Sequence, residues 1–251
     1  MLGASWLKRR NLYYIRRKIE TRLISSGEGY ASVIQLRNEI YGEAGKVTDS
    51  YPLLREPARD SCRVLAFFHG HKLVGSVVIH IPNGQEPMDC VEGPLLRYPT
   101  DLPPKSESIE LSRLCFRKEY RGTDLIKEVY RQGILALAQT GRSYILLAAD
   151  DKLKRKYSHI RFKDTGYRYS NRAGKSGELS LMVSRLKHGR IYGLSSKPLL
   201  WNLFLFDPIK DLMRARIIPA RHWFFYFPYV ILRPVAWIFE QFYLMQLKRV
   251  A

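Results

Sequence analysis

The segment from Ser143 to Ala149 is an almost wholly apolar run within a chain of 251 residues. Such a run is typical of a strand that is buried on both faces of its sheet. The surrounding patterns predict strands at 19–25, 63–68, 72–81, 109–117, 167–169 and 178–183, and helices at about 30–41, 125–141 and 151–162. The two strands at 63–81 form a hairpin. This order of elements predicts an α/β (α+β) domain.

The charge balance of the chain indicates a partner. The chain has 42 Lys and Arg residues against 23 Asp and Glu residues, which gives a formal net charge of +19. A field this positive favours polyanions: nucleic acid, an anionic membrane surface or an acidic protein. The alternative is a merely solvated basic face. The basic residues cluster in segments 8–22, 152–175 and, among aromatic residues, 210–221.

The composition of the C-terminal segment differs from that of the rest of the chain. We predict a basic N-terminal segment (1–18), a domain (19–189) and an apolar, aromatic helical extension (190–251). Arg233, Pro234 and Glu240 interrupt the extension, so it lacks the roughly 18–20 uncharged residues that a spanning helix needs. Tryptophan, tyrosine and phenylalanine beside arginine and lysine suit helices in a membrane interface. The alternative is that the extension packs on the domain.

The three cysteines, Cys62, Cys90 and Cys115, are far apart and form no C-x-x-C pair. This spacing supports neither a disulfide framework nor a structural zinc site, so we expect no bound metal. It also indicates a reducing compartment. Together with the apolar extension, it predicts a cytoplasmic protein that is peripheral on the inner face of the cytoplasmic membrane.

The strand predicted from Ile109 to Arg117 runs through an Arg121-Gly122 turn into a capped helix. Amide N–H groups at a helix N-terminus and the helix dipole favour anions, so this arrangement suits a phosphate. Glu110 and Arg113 lie within the same strand. Charged residues in an otherwise apolar strand are costly unless they are paired or functional. The alternative to a functional pair is a salt bridge that stabilises the fold.

The order of elements and the run from Ile109 to Leu125 resemble the GCN5-related N-acetyltransferase (GNAT) superfamily. The sequence Glu110-Leu-Ser-Arg113 resembles the E-x-S-R signature of acyl-homoserine-lactone synthases and of the similar long-chain N-acyl amino acid synthases. Leu36-Arg-Asn-Glu-Ile-Tyr41 resembles the Arg-x-x-x-aromatic segment of their first helix. The resemblance covers residues 19–185. It implies a GNAT-like central mixed twisted sheet flanked by helices, followed here by the aromatic-rich C-terminal helical appendage.

The resemblance implies an enzyme, namely an amide-forming acyltransferase. Its relatives take an acyl chain from the phosphopantetheine thioester of acyl carrier protein and transfer it to an amine. For this chain it implies a bacterial enzyme that moves a long fatty acyl chain to an amino acid or a similar small amine, giving an N-acyl amino acid-type lipid. It implies no permanently bound cofactor, with an acyl carrier protein or coenzyme A thioester as co-substrate. Acyl carrier protein is acidic, so this partner would account for the positive charge.

The resemblance also implies roles for residues of this sequence. Glu110 is expected to be the general base, and Arg113 to bind an acceptor carboxylate or to orient Glu110. Backbone N–H groups near Leu114–Phe116 are expected to hold the oxyanion. The other expected contacts are Arg37, Tyr41 and Ser112 for the substrate, and Leu114, Cys115, Phe116, Arg121, Gly122 and Thr123 for the acyl chain and phosphopantetheine. Strict alternation places Glu110 and Arg113 on opposite faces, so a β-bulge is required to bring both into one cleft.

Two departures from the family patterns bear on the substrates. Asp124 stands where the coenzyme A loop of the superfamily has a small residue, and its carboxylate would repel a pyrophosphate. This favours the single phosphate of a carrier protein, or else Asp124 is only a helix N-cap. Ser76 and Val77 follow Gly75 where the homoserine-lactone enzymes carry an Arg-Leu pair, which argues against S-adenosylmethionine as the acceptor.

Two other functions remain open. One is acyl-coenzyme A-dependent N-acetylation or acylation of a small amine on the same fold. The other is a non-catalytic basic protein that binds membranes or nucleic acid, which predicts polyanion binding with a strong salt dependence. Against nucleic acid, the aromatic residues are concentrated in the extension and are not interleaved with the central basic cluster, as stacking platforms would be.

Overall fold

A single seven-stranded sheet is the framework of the described chain. The computed structural model describes residues 19–24, 28–44, 61–91, 95, 97–121, 125–170, 178–196 and 198–248. The strands are β1 (Ile19–Ile24), β2 (Cys62–His69), β3 (Lys72–His80), β4 (Ser108–Phe116), β5 (Tyr144–Asp150), β6 (Lys163–Ser170) and β7 (Glu178–Arg185). The helices are α1 (Glu28–Glu43), α2 (Leu125–Thr140), α3 (Asp151–His159), α4 (Leu186–Ser196), α5 (Pro198–Arg214) and α6 (Phe227–Lys248).

The sheet is mixed, as the sequence predicts. Its order is β1-β2-β3-β4-β5-β7-β6, in which β4 and β5 are parallel and all other neighbours are antiparallel. The predicted hairpin joins β2 and β3 through Gly70, whose positive φ of 60° a glycine adopts without strain. Two helix ends differ from the prediction, because α1 continues through Gly42 to Glu43 and α3 ends at His159.

The sheet is covered on both faces, as the apolar run in β5 predicts. Ile145 belongs to the large core cluster formed with the apolar side of α2. Its neighbour Leu146 faces the other way and packs against the β3–β4 connection, which contributes Met88, Val91 and Leu102. On that second face, α1 also packs against β2 to β4. The central strand therefore carries apolar side chains in both directions.

An opening separates the C-terminal halves of β4 and β5. The two fully described strands pair only at Ser108 with Tyr144, Ile109 with Ile145 and Glu110 with Leu146. β4 continues to Phe116 and β5 to Asp150, so the chain segments beyond these pairs diverge. β5 leads directly into α3, so α3 begins at the mouth of the opening.

The C-terminal extension shares the core of the domain. Trp201, Leu205 and Tyr229 are buried in the large core cluster. The Trp201 ring meets the ring of Tyr130 on α2 edge-on, with centroids 5.9 Å apart. Helix α4 spans the predicted boundary at residue 189. At least this part of the extension packs on the domain.

Helix α6 presents apolar side chains to solvent. Tyr229 and Ala236 face the core, whereas the opposite side of the helix and the preceding 3₁₀ turn (Ala220–Phe225) carry exposed large apolar residues. We call these the α6 apolar face: Trp223, Phe224, Phe227, Val230, Ile231, Val235, Trp237, Ile238 and Phe239. Among the described helices, none has the length and mean hydropathy needed to cross a bilayer.

Candidate active site

A β-bulge in β4 determines which side chains reach the face of the sheet opposite α2. The register between β3 and β4 shifts between Ser76, which pairs with Cys115, and Val78, which pairs with Ser112. Two residues of β4 therefore oppose one residue of β3, and the first of them, Arg113, has a left-handed backbone with φ of 52°. The half-buried Ser112 lies directly before the bulge. The bulge that the site requires is therefore present.

The bulge resets the alternation of the strand. Before it, Ile109 and Leu111 face the α2 side. After it, Leu114 and Phe116 pack on that same α2 side, while Cys115 packs against α1 on the opposite face. The tight pairing with β3 requires a glycine, because a Cβ on Gly75 would lie 2.3 Å from the Phe116 ring.

The Glu110 side chain is fully buried beneath the β3–β4 connection. Its Oε1 accepts a hydrogen bond from the backbone N–H of Cys90 at 3.1 Å. Its Oε2 lies 3.6 Å from Nδ1 of His80, which is also buried. Burial and the Glu110 charge raise the pKa of the Cys90 thiol, which therefore stays protonated at neutral pH.

The Arg113 side chain reaches the same connection. Its Nη2 lies 3.4 Å from Oδ2 of Asp89, the residue directly before Cys90. The Arg113 side chain is 16% exposed and that of Asp89 is 42% exposed. Glu110 and Arg113 thus meet two consecutive residues of one loop, which places both on one side of the sheet. Arg113 already holds a carboxylate, that of Asp89.

Arg37 carries a positive charge into the interior next to the bulge. It is fully buried on α1, and its Nε donates to the Ser76 hydroxyl at 3.0 Å. Burial lowers the pKa of Arg37 to about 10, so the guanidinium is still charged at neutral pH. The Ser76 Oγ is 3.3 Å from the Cys115 sulfur. Burial raises the pKa of the Cys115 thiol, so this cysteine is uncharged at neutral pH.

Two tyrosines approach the opening between β4 and β5. The Tyr41 hydroxyl on α1 donates to the carbonyl oxygen of Leu114 at 3.0 Å. Burial raises the pKa of the Tyr41 hydroxyl, and a negative charge on Tyr157 of α3 would raise it further. Burial, with the nearby Asp150 carboxylate, raises the pKa of Tyr157 to about 12, so its hydroxyl keeps its proton at neutral pH. Both hydroxyls therefore keep their protons at neutral pH.

The expected phosphate loop is only partly described. Arg121 is exposed, and its Nε donates to the carbonyl oxygen of Phe116 at 3.0 Å. Its Nη2 lies 3.8 Å from Glu43 on α1. Gly122 and Thr123, with Asp124, lie outside the described residues. Arg121 thus stands at the end of β4, near the mouth of the opening.

Comparison with solved structures assigns the fold. FeeM, an N-acyl amino acid synthase from uncultured soil microbes, matches with a TM-score of 0.53 at 12% sequence identity, covering 68% of this chain and 93% of that chain. The chain has the GNAT fold. An acyl-CoA N-acyltransferase from Pseudomonas aeruginosa also matches, with a TM-score of 0.48 at 11% identity, covering 66% of this chain and 99% of that chain. No protein-family model matches, and no curated protein matches in sequence.

The predicted resemblance to GNAT acyltransferases is confirmed at the level of the fold. The GNAT fold of this chain also places together residues that the sequence analysis missed. His80 lies beside Glu110, and Asp89 lies beside Arg113. The length of the connection between β3 and β4 was the one signal for Asp89, because long loops in compact domains are often functional. Within the described ranges, no group of three or more His, Cys, Asp or Glu side chains is arranged to hold a metal ion.

Proposed function

We propose that this chain is an amide-forming acyltransferase that moves a long fatty acyl group from acyl carrier protein to an amino acid or a similar small amine. One observation carries the proposal. Glu110 ends the part of β4 that pairs with β5, and the bulged segment that follows has a free edge on the β5 side, where a thioester arm can lie. β4 therefore carries both a candidate base, Glu110, and a carboxylate-binding arginine, Arg113, and it forms one side of the opening.

The chemistry follows from the placement of these groups. The free amine attacks the thioester carbonyl carbon, so the C–N bond forms and the C–S bond breaks. Glu110, directly or through water, accepts the proton that the amine releases. Backbone N–H groups on the unpaired edge of β4 stabilise the oxyanion. Tyr157 donates a hydrogen bond to the departing sulfur and supplies its proton, which the phenol recovers from water.

The acyl chain requires an apolar channel behind the thioester. The two sides of the opening that face α2 are apolar: Leu114 and Phe116 on β4, and Leu147 and Ala149 on β5. Leu125, at the start of α2, belongs to the same cluster. Burial of each methylene of a fatty chain here contributes about 0.8 kcal/mol. This surface supports a long acyl chain over an acetyl group.

Arg113 supports an acceptor that carries a carboxylate. A planar guanidinium binds carboxylates in a defined geometry. In this structure the Arg113 guanidinium is paired with the Asp89 carboxylate, which would compete with that of the acceptor. We expect Asp89→Asn to lower the KM for the acceptor about two- to fivefold, since exposed ion pairs contribute roughly 0.2–1 kcal/mol. Steady-state kinetics with varied amino acid measure this. Asp101→Asn, which changes a loop carboxylate bonded to Tyr167, is the matched control and keeps the wild-type KM. An Asp89→Asn enzyme with an unchanged or raised KM would contradict the assignment.

Helix α3 supports a carrier protein as the donor. It begins at the mouth of the opening, and Lys152, Arg155 and Lys156 lie exposed on one side of it. Exposed charges at a rim mainly accelerate the encounter with a partner of opposite sign. This basic side of α3 suits an acidic protein whose prosthetic arm enters between α2 and α3.

A charge reversal on α3 tests the donor. We expect the double variant Lys152→Glu/Lys156→Glu to lower kcat/KM for acyl carrier protein thioesters by roughly tenfold, and to leave acyl-pantetheine donors unaffected. Arg214→Glu/Arg216→Glu changes the net charge equally at exposed positions on the extension and is the control. If kcat/KM falls equally with both donors, or equally in the α3 variant and the control variant, α3 does not bind the carrier protein.

The α6 apolar face supports a peripheral association with a membrane. Its exposed tryptophans and aliphatic residues follow the exposed Arg214 and Arg216 in the sequence. A helix with exposed aromatic and basic side chains suits the interface of an anionic bilayer, where both kinds of residue are favourable. This location would also receive a lipid product directly.

The overall proposal is tested by incubating the purified protein with acyl carrier protein thioesters of varied chain length and a pool of amino acids. We expect N-acyl amino acids in the organic extract, identified by mass spectrometry. Parallel reactions with acyl-coenzyme A separate the two donors. A folded protein that yields no product with either donor would support the non-catalytic alternative.

A further inference from the structure

His80 stands between two carboxylates in the interior of the domain. Its Nδ1 lies 3.6 Å from Oε2 of Glu110, and its Nε2 lies 3.8 Å from Oε2 of Glu86. Its side chain is 2% exposed. Within the described part of the chain, neither ring nitrogen of His80 nor Oε2 of Glu110 has a hydrogen-bond partner. The ring therefore connects the two acids through its opposite edges.

Glu86 links this buried group to the surface. Its side chain is 25% exposed, whereas that of Glu110 is 1% exposed. The Ser61 hydroxyl donates to Oε1 of Glu86 at 2.8 Å, and the backbone N–H of Asn83 lies 3.0 Å from Oε2. These bonds hold the carboxylate with one side towards His80 and another towards solvent. Glu110, His80 and Glu86 thus form a line from the interior to water.

A buried general base needs a path by which its proton can reach bulk water. When the free amine attacks the thioester, it releases one proton, which the proposed function assigns to Glu110. If Glu110 takes that proton, it must release it before the next turnover. Glu110 has no contact with solvent through which to do so. The neighbouring imidazole accepts a proton at one nitrogen and releases one from the other.

We propose that His80 relays this proton from Glu110 to Glu86, an inference that rests on the proposed function. Protonated Glu110 gives its proton to Nδ1, and Nε2 gives its own proton to Glu86, which releases it to water. Glu110 returns to the carboxylate, and a flip of the ring restores the starting tautomer. Both gaps exceed a hydrogen bond by less than about 1 Å, so small side-chain movements close them.

The test is a double-mutant cycle on His80 and Glu86. His80→Asn keeps a polar group near Nδ1 but cannot carry a proton across the ring. Glu86→Gln changes a partly exposed position and keeps an acceptor for Ser61. We expect each variant to lower kcat at least roughly tenfold, with the KM for the acceptor within twofold and a larger solvent deuterium isotope effect. The double variant is no slower than the slower single variant, because both changes interrupt one path.

The control is His71→Asn, at an exposed position in the β2–β3 turn, which keeps wild-type kcat. Thermal unfolding of every variant separates lost turnover from lost fold. If folded His80→Asn and Glu86→Gln both keep kcat within twofold, or if their losses multiply in the double variant, the relay is wrong. A wild type that is inert with every donor overturns the proposed function and the relay together, whereas an active wild type with active variants overturns the relay alone.

Discussion

We expect Glu110→Gln to lower kcat by on the order of 10²- to 10⁴-fold, the range that a general base contributes. Glutamine has nearly the shape of glutamate, and its carbonyl oxygen can keep the hydrogen bond from the Cys90 N–H. It cannot accept a proton from the amine. The acceptor KM and the free energy of unfolding are therefore expected to change little. Steady-state kinetics with an acyl carrier protein thioester and urea unfolding measure the two effects.

Glu107→Gln is the matched control for this change. Glu107 is exposed, lies three residues before Glu110 and loses the same charge, so its kcat is expected to equal that of the wild type. An unfolded or strongly destabilised Glu110→Gln protein would favour the other interpretation, in which Glu110 stabilises the fold. Removing one charge of a buried ion pair leaves the other charge uncompensated, which lowers the free energy of unfolding by roughly 3–5 kcal/mol.

The second large effect concerns the α6 apolar face. We expect Ile231→Ser/Trp237→Ser/Ile238→Ser to lower binding to anionic lipid vesicles by at least about 10³-fold, since burying each such side chain contributes roughly 1.5–3 kcal/mol. All three side chains are more than half exposed, at 60%, 54% and 62%, so the changes remove little packing within the protein. Vesicle sedimentation at several lipid concentrations measures the partition.

Vesicle composition and oligomeric state complete this experiment. Binding of the wild type is expected to weaken when anionic lipid is replaced by neutral lipid or when the salt concentration is raised, because the exposed Arg214 and Arg216 of the extension attract anionic lipid. If the wild type does not bind vesicles but forms a dimer, and the triple variant is a monomer, then the α6 apolar face binds a second copy of the chain and not a membrane. Leu23→Ser, another exposed apolar residue at 62% but on β1, is the control.

The sequence predicted the layers of the fold because those depend on local patterns. The run from Ser143 to Ala149 lies between two packed faces, and Gly141, with φ of 70°, ends α2 as predicted. Gly70 turns the hairpin for the same reason, since its φ of 60° suits glycine. Periodicity and turn chemistry are encoded within a few residues, which is why they could be read directly.

The site itself depended on long-range geometry. Alternation alone placed Glu110 and Arg113 on opposite faces, and only the bulge at Arg113 brings them to one loop. Nothing in the local pattern of β3 distinguishes His80 from an ordinary strand residue, because its proposed role depends on Glu110 and Glu86, which only the folded chain brings to opposite edges of its ring. The roles assigned to these residues stay predictions until the kinetic experiments are done.

The contact between Trp201 and Tyr130 has a practical consequence for anyone who shortens this protein. The Tyr130 hydroxyl also approaches the Ile160 carbonyl and Ser184, each at 3.2 Å, so one phenol ties α2, the end of α3 and β7 to the extension. Deleting the residues after 197 would remove Trp201, Leu205 and Tyr229 from the core that they share with α2. The whole chain is therefore the sounder unit for expression and crystallisation.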